Sequence, residues 1–103
     1  MEKTEYTSKD EIVFVVSDDG DKGIHFDESV KIIKKQIRPD EIDFGWGIDS
    51  AKGRFFKDQI EVFISYTNWF GTEIRVSAGL SSDQISKVRD WADLIREGLK
   101  DRV

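Results

Sequence analysis

The sequence predicts an α+β fold: a two-layer sandwich in the order β-α-β-β-β-α, with helices packed on one face of a mainly antiparallel four-stranded sheet. Apolar and polar residues alternate through residues 60–66 and 74–80, on either side of a turn. A further alternating run covers residues 41–48, and residues 81–99 have the apolar period of a helix. Because the strands after residue 41 are close in sequence, we expect them to form an antiparallel meander.

Length and composition indicate one domain. The chain has 103 residues, of which 38% are apolar and 36% charged, and typical domains hold roughly 100–150 residues. Residues 1–9 are polar and aperiodic, so we expect a flexible N-terminal arm followed by a single domain over residues 10–103. The absence of cysteine excludes disulfides. With no apolar run of signal-peptide or membrane-spanning length, we expect a soluble, cytoplasmic protein that does not bind membranes.

The first half begins with a buried strand. Residues 12–16 are all apolar, which suits a strand covered on both faces. Residues 17–23 have the composition of a loop, and residues 24–26 are interpreted as a short returning strand.

The type of element formed by residues 27–38 stays open, although a helix is favoured. A helix would begin at Asp27 as the N-cap and stop before Pro39, which forces the preceding residue out of helical geometry. A strand is disfavoured because Lys34 and Gln36 break the alternation.

Residues 41–48 predict a strand with one apolar face and one polar face, and the polar face includes two glycines. Ile42, Phe44, Trp46 and Ile48 share the apolar face, and Gly45 lies on the other with Gly47. Glycines on a strand face let a ligand or another backbone approach closely. Residues 49–53 are expected to form a turn.

The alternating runs on either side of residues 69–71 predict a hairpin. A loop over these three residues would set Tyr66 opposite Ile74 and Ile64 opposite Val76, so that apolar residues meet on one face. Gly71 would hold the positive-φ position, where Asn should cost much less than Val.

The last element is a helix with a clear start. Ser81 and Gln84 have the spacing of a capping box. The apolar residues that follow step by three and four along one stripe, which indicates a face packed on the core: Ile85, Val88, Ala92, Ile95 and Leu99.

The charge distribution favours a cationic partner. The net charge is −5, which disfavours nucleic-acid binding because phosphates are repelled. Seven acidic residues fall between positions 10 and 28, against one lysine. The basic cluster at residues 31–38 is interpreted as a solvated helix face.

No catalytic or metal constellation is apparent, so we expect neither an enzyme nor a cofactor. His25 is the only histidine, and no serine occupies a nucleophile-elbow context. An acidic loop that begins at Ser17 has calcium-site spacing, but Lys22 stands where such a loop needs glycine.

These observations lead to a functional hypothesis: a small acidic non-catalytic domain that binds a basic protein partner. In size and acidity the chain is similar to small immunity or inhibitor proteins, without a family-specific motif. Trp69 and Phe70 either complete the core or stand exposed as anchors at the hairpin tip. The alternative is a regulatory or subunit domain that forms a homodimer through a sheet edge, or binds a small ligand over Gly45 and Gly47. The proposed binding residues are Asp18, Asp19, Asp21, Glu28, Trp69 and Phe70.

Overall fold

A computed structural model describes residues 4–18 and 23–100 of the chain. Six strands and two helices follow one another in this part. The strands are β1 (Glu5–Ser8), β2 (Glu11–Ser17), β3 (Glu41–Trp46), β4 (Ser50–Lys57), β5 (Ile60–Thr67) and β6 (Gly71–Ser77). The helices are α1 (Ile24–Ile32), which continues into a π-helical turn at Ile33–Ile37, and α2 (Ser82–Lys100).

The strands form one antiparallel sheet in the order β1-β2-β6-β5-β4-β3. The α+β class is confirmed, but the prediction of four strands is wrong because six are found. The two additional strands are β1, inside the segment expected to be an arm, and β4, which begins inside the expected turn. Both lack a strong apolar alternation, so period-two patterning could not find them.

Both helices pack on the same face of the sheet, where the core lies. The largest fully buried side chains come from both layers: Phe14, Phe55, Ile60, Ile64 and Ile74 from strands, and Phe26, Ile32, Ile33 and Ile95 from helical segments. Neither helix in the described residues is long and apolar enough to cross a membrane.

The first helix begins earlier than the sequence predicts. Ile24 is its first residue, Gly23 occupies the N-cap without a side-chain cap bond, and residues 24–26 are therefore helix and not strand. Packing explains this start, because Phe26 is completely buried on the helical side of the core. The helical segment ends at Arg38, whose φ is 58°, immediately before Pro39.

The predicted hairpin exists with a different register. Tyr66 pairs with Thr72 and Ile64 with Ile74, so β6 is displaced by two residues from the predicted pairing. A displacement of two keeps every side chain on its face, and apolar alternation cannot distinguish the two registers. Gly71 does have a positive φ, 75°, as predicted.

The capping box at the start of α2 is confirmed. The backbone N–H of Gln84 donates to Ser81 Oγ at 3.2 Å, and the backbone N–H of Ser81 donates to Gln84 Oε1 at 3.0 Å. The apolar stripe packs on the core, with Val88, Ala92 and Ile95 fully buried.

Candidate partner-binding surface

Two hairpin tips and the end of β2 lie at the same end of the sheet. The antiparallel order places residues 47–49, between β3 and β4, beside residues 68–70, between β5 and β6. We call this end, together with the first turn of α1, the turn-end surface. Among the described residues, eight large apolar side chains are exposed, and this surface carries five of them: Ile48 (99% exposed), Trp69 (83%), Phe70 (67%), Ile24 (60%) and Trp46 (47%).

Trp69 and Phe70 stand exposed at the tip of the β5–β6 hairpin. The Phe70 amide donates to Thr67 Oγ1 at 3.0 Å, which closes the turn without using either ring. Of the two arrangements considered for these rings, the exposed one is found. Together with Asp18, they border a cavity of about 970 Å³ at the end of β2.

Trp46 connects the turn-end surface to the core. Its ring centroid lies 5.7 Å from that of Phe26 and 5.6 Å from that of Tyr66. Its Nε1 donates to Asp27 Oδ1 at 2.9 Å, so Asp27 holds this ring and does not cap α1. A Cβ added to Gly23 would lie 3.1 Å from the Trp46 ring, which places the start of α1 against the end of β3.

The structure brings together only some of the predicted binding residues. Asp18, Trp69 and Phe70 border the same cavity. Glu28 lies on α1, where Lys31 Nζ is 3.4 Å from its Oε1, and it does not border that cavity. Asp19 and Asp21 lie outside the described residues. The sequence does not identify Ile24, Ile48 and Asp49 as binding residues. It predicts strands at Ile24 and Ile48 and an ordinary turn at Asp49.

Two carboxylates of the turn-end surface have no ion-pair partner in the part of the chain that the structure describes. Asp18 and Asp49 are exposed, and neither forms an ion pair within residues 4–18 and 23–100. Arg96 and Lys100 both border the cavity and both form ion pairs. Lys100 Nζ lies 3.3 Å from Glu97 Oε1. Arg96 Nη1 donates to Asp93 Oδ1 at 2.8 Å, and the other two nitrogens of Arg96 donate to the carbonyls of Val15 and Thr4.

A serine–histidine contact borders the same cavity. Ser17 Oγ is 2.6 Å from His25 Nδ1, next to an irregularity in the β2–β6 pairing between Val15 and Ser17. His25 is buried, and its Nε2 has no hydrogen-bond partner in the described part of the chain. A serine nucleophile needs the second ring nitrogen oriented by another group, so this contact is interpreted as a tie between β2 and α1.

A second concave region lies on the open face of the sheet, above β3 to β6. Its volume is about 880 Å³, and Gly45, Lys52 and Phe63 are among its lining residues. Both arginines that border it form ion pairs: Arg54 with Glu61 at 2.9 Å, and Arg75 with Glu73 at 3.0 Å. Binding of a small ligand over Gly45 and Gly47 remains a prediction.

The buried carboxylate of Glu73 is held from two sides on this open face. Tyr6 Oη donates to Glu73 Oε2 at 2.8 Å, while Arg75 contacts the other oxygen. Burial and this hydrogen bond raise the pKa of Tyr6 above its ordinary value. The ionisable side chains of Tyr6, Glu73 and Arg75 are therefore bonded to one another, and they connect β1 to β6.

Within the described ranges, no group of three or more acidic, histidine or cysteine side chains is placed to hold a metal ion.

Comparison with protein-family models, curated proteins and solved structures finds no match to this chain. Its function therefore has to be inferred from the residues of its surfaces and not from its fold.

Proposed function

We propose that this chain is a small acidic, non-catalytic domain that docks a basic protein partner through the turn-end surface, as an inhibitor or immunity protein would. The observation that supports this most directly is the exposure of Trp69 and Phe70, at 83% and 67%, beside a cavity that Asp18 also borders. Large aromatic side chains are costly to leave in water and are the preferred anchors of protein interfaces.

The clustering of exposed residues supports an interface more than any single ring does. Isolated apolar side chains are common on protein surfaces, whereas contiguous apolar patches mark interaction sites. The tips at residues 47–49 and 68–70 are separated by two strand spacings, about 10 Å. One partner surface can therefore cover Ile48, Trp69 and Phe70 together.

The charge of the surface determines the kind of partner. Asp18 and Asp49 flank the exposed apolar residues and lack ion-pair partners among the described residues. Rim carboxylates attract a cationic protein before contact and raise the association rate, while the aromatic anchors slow dissociation.

Capture from native lysate with three immobilised forms of the chain tests the proposal. These are the wild type, the double variant Trp69→Ala with Phe70→Ala, and the matched control Leu94→Ala, which removes an exposed apolar side chain from α2. We expect a basic protein to bind the wild type and the control and to be lost from the double variant. Retention of every captured basic protein by the double variant would contradict the proposal.

Binding kinetics with the purified partner then test the charge. Asp18→Lys with Asp49→Lys should lower the association rate more than it raises the dissociation rate. The effect should shrink as salt approaches physiological strength, where the screening length is about 8 Å. The control Asp40→Lys with Glu41→Lys makes the same charge change at the start of β3, at the opposite end of the sheet, and should alter the rate less.

A further inference from the structure

β3 is an edge strand with one unpaired side. It is last in the strand order, and in the described residues only β4 pairs with it. The Gly47 amide donates to the Ser50 carbonyl at 2.7 Å, and backbone groups alternate in direction along an antiparallel pair. Gly45 and Asp43 therefore direct their backbone groups toward β4, while Ile42, Phe44 and Trp46 direct theirs outward.

The opposite edge of the sheet is better protected. β1 has only four residues. Its start is tied to α2, because Arg96 donates to the Thr4 carbonyl at 2.8 Å and Arg89 binds the Glu5 carboxylate. β3 has six residues, and none is a proline or a lysine, the residues that commonly block edge pairing.

Gly45 has no role that the described part of the chain explains. A Cβ added there meets nothing within 4 Å, and its φ is not positive. Glycine within a strand is less stable than alanine, and it often marks close approach by another group. A Cβ on a strand points out of the plane of the sheet, so the bare site leaves room above Gly45 for a side chain of a strand paired at this edge.

We propose that the unpaired edge of β3 is covered by β3 of a second copy of the chain, paired antiparallel around a two-fold axis at Phe44. The outward backbone groups of Ile42, Phe44 and Trp46 then bond to those of Trp46, Phe44 and Ile42 of the second copy. These three side chains are half-buried or exposed on the helical face, and in this register they meet one another. Two six-stranded sheets become continuous.

The charges on the open face fit the same register. Asp43 lies opposite Gly45 of the second copy, and the next residue along that row is Lys52, which pairs with Gly45 inside each chain. Asp43 and Lys52 are then two strand spacings apart, about 10 Å between backbones, and no side chain stands between them. An axis at Asp43 would instead oppose two carboxylates, which is unfavourable.

Sedimentation velocity on the full chain, over a range of concentrations and without a partner, tests this dimer. We expect the wild type to dimerise reversibly. Gly45→Asp places one carboxylate opposite Asp43 of the other copy, at both symmetry-related positions, and should weaken dimerisation about tenfold, whereas Gly45→Lys should strengthen it. Combining Gly45→Asp with Asp43→Lys restores opposite charges and should recover the dimer.

The free energy of unfolding of the dilute monomer should respond to the two Gly45 variants in the opposite order to dimerisation. Within one chain Lys52 is the neighbour of Gly45, so Asp at position 45 should stabilise the monomer relative to Lys, which is opposite to their effects on dimerisation. A monomer at every concentration, or equal weakening by Gly45→Asp and Gly45→Lys, would overturn the proposal. The Trp69→Ala and Phe70→Ala double variant should dimerise like the wild type, so failure here is separable from failure of partner binding.

Discussion

Gly71 and Ser17 are in contact where β6 begins beside the end of β2, and a Cβ on Gly71 would collide with the Ser17 carbonyl oxygen. Gly71 also has a φ of 75°, in a region that other residues rarely occupy. Two independent constraints therefore require glycine at one position.

Replacement of Gly71 should be costly whatever the new residue. Asn tolerates positive φ better than Ala or Val, but it also has a Cβ, so the tolerance for Asn expected from the sequence does not hold. We expect Gly71→Ala and Gly71→Asn each to lower the free energy of unfolding by more than about 2 kcal/mol, measured in urea. Gly45→Ala is the control and should be neutral or slightly stabilising. A mild effect of Gly71→Asn would show that the loop and Ser17 separate easily.

The hairpin-tip aromatics should contribute little to the stability of the free protein. Trp69→Ala and Phe70→Ala remove exposed rings and should leave the thermal midpoint nearly unchanged. Trp91→Ala is the matched control, since Trp91 is buried and its ring centroid lies 5.8 Å from that of Phe55. It should cost about 3–5 kcal/mol. If the tip variants lost as much as Trp91→Ala, these rings would belong to the core.

The hydrogen bond from Tyr6 to Glu73 should make stability fall at alkaline pH. The pKa of Tyr6 is raised in the folded chain, mainly by burial and then by its bond to Glu73. Its contribution is complete below the ordinary tyrosine pKa of about 10 and is lost as the pH rises through the higher folded value. Tyr6→Phe should cost about 1–3 kcal/mol near neutral pH.

Urea melts of both proteins over an alkaline pH series check this linkage. The stability advantage of the wild type over Tyr6→Phe should shrink as the pH rises. A constant difference across the series would show that Tyr6 does not ionise in that range.

The Glu5–Arg89 pair should stabilise the docking of β1 on α2 in an acid-sensitive way. Arg89 Nε and Nη2 each donate to a Glu5 oxygen at 2.8 Å, and this lowers the pKa of Glu5. The contribution is present above the ordinary glutamate pKa of about 4.3 and disappears as the pH falls through the lower folded value. Glu5→Gln should be slightly less stable than the wild type at neutral pH.

Chemical denaturation at descending pH measures this effect. The difference between wild type and Glu5→Gln should vanish in acid, and added salt should reduce it at neutral pH because both side chains are partly exposed. A difference that survives in acid would place the effect of Glu5 in packing and not in charge.

Local signals in the sequence were sufficient for some elements. The Ser81–Gln84 spacing specifies a capping box without reference to the rest of the chain, and α2 begins there. The alternation before and after Gly71 identified the β5–β6 hairpin and the faces of its strands. It could not fix the register, because a displacement of two residues keeps every side chain on its face.

Other elements depend on tertiary contacts that have no local signal. On β4 the core-facing positions hold Ala51 and Gly53 before Phe55, and a Cβ on Gly53 would collide with β3 at Asp43 and Phe44. The strand therefore lacks apolar alternation because its neighbour fills the space. β1 has no aliphatic residue, so it has no apolar alternation. The side chain of Glu5 forms an ion pair with Arg89 of α2, which connects the strand to the helix.

The candidate site was predictable only where its residues have a local signal in the sequence. Trp69 and Phe70 were identifiable because aromatic residues are rarely needed to close a turn. Ile48 continued an alternating run, and only the structure shows that the strand ends at Trp46 and leaves Ile48 in the turn. The convergence of two hairpin tips and α1 is a property of strand order, which no single segment encodes.

The strand order also has a consequence for the route by which the chain folds. From β3 to β6 each strand pairs with the next one in sequence, so this meander needs only short loops to close. The pairing of β2 with β6 brings Glu11 to Ser77 across more than half the chain. Closing so long a segment costs conformational entropy before it gains contacts, which slows folding. The N-terminal hairpin should therefore join late, and weakened β2–β6 contacts should speed unfolding more than they slow refolding.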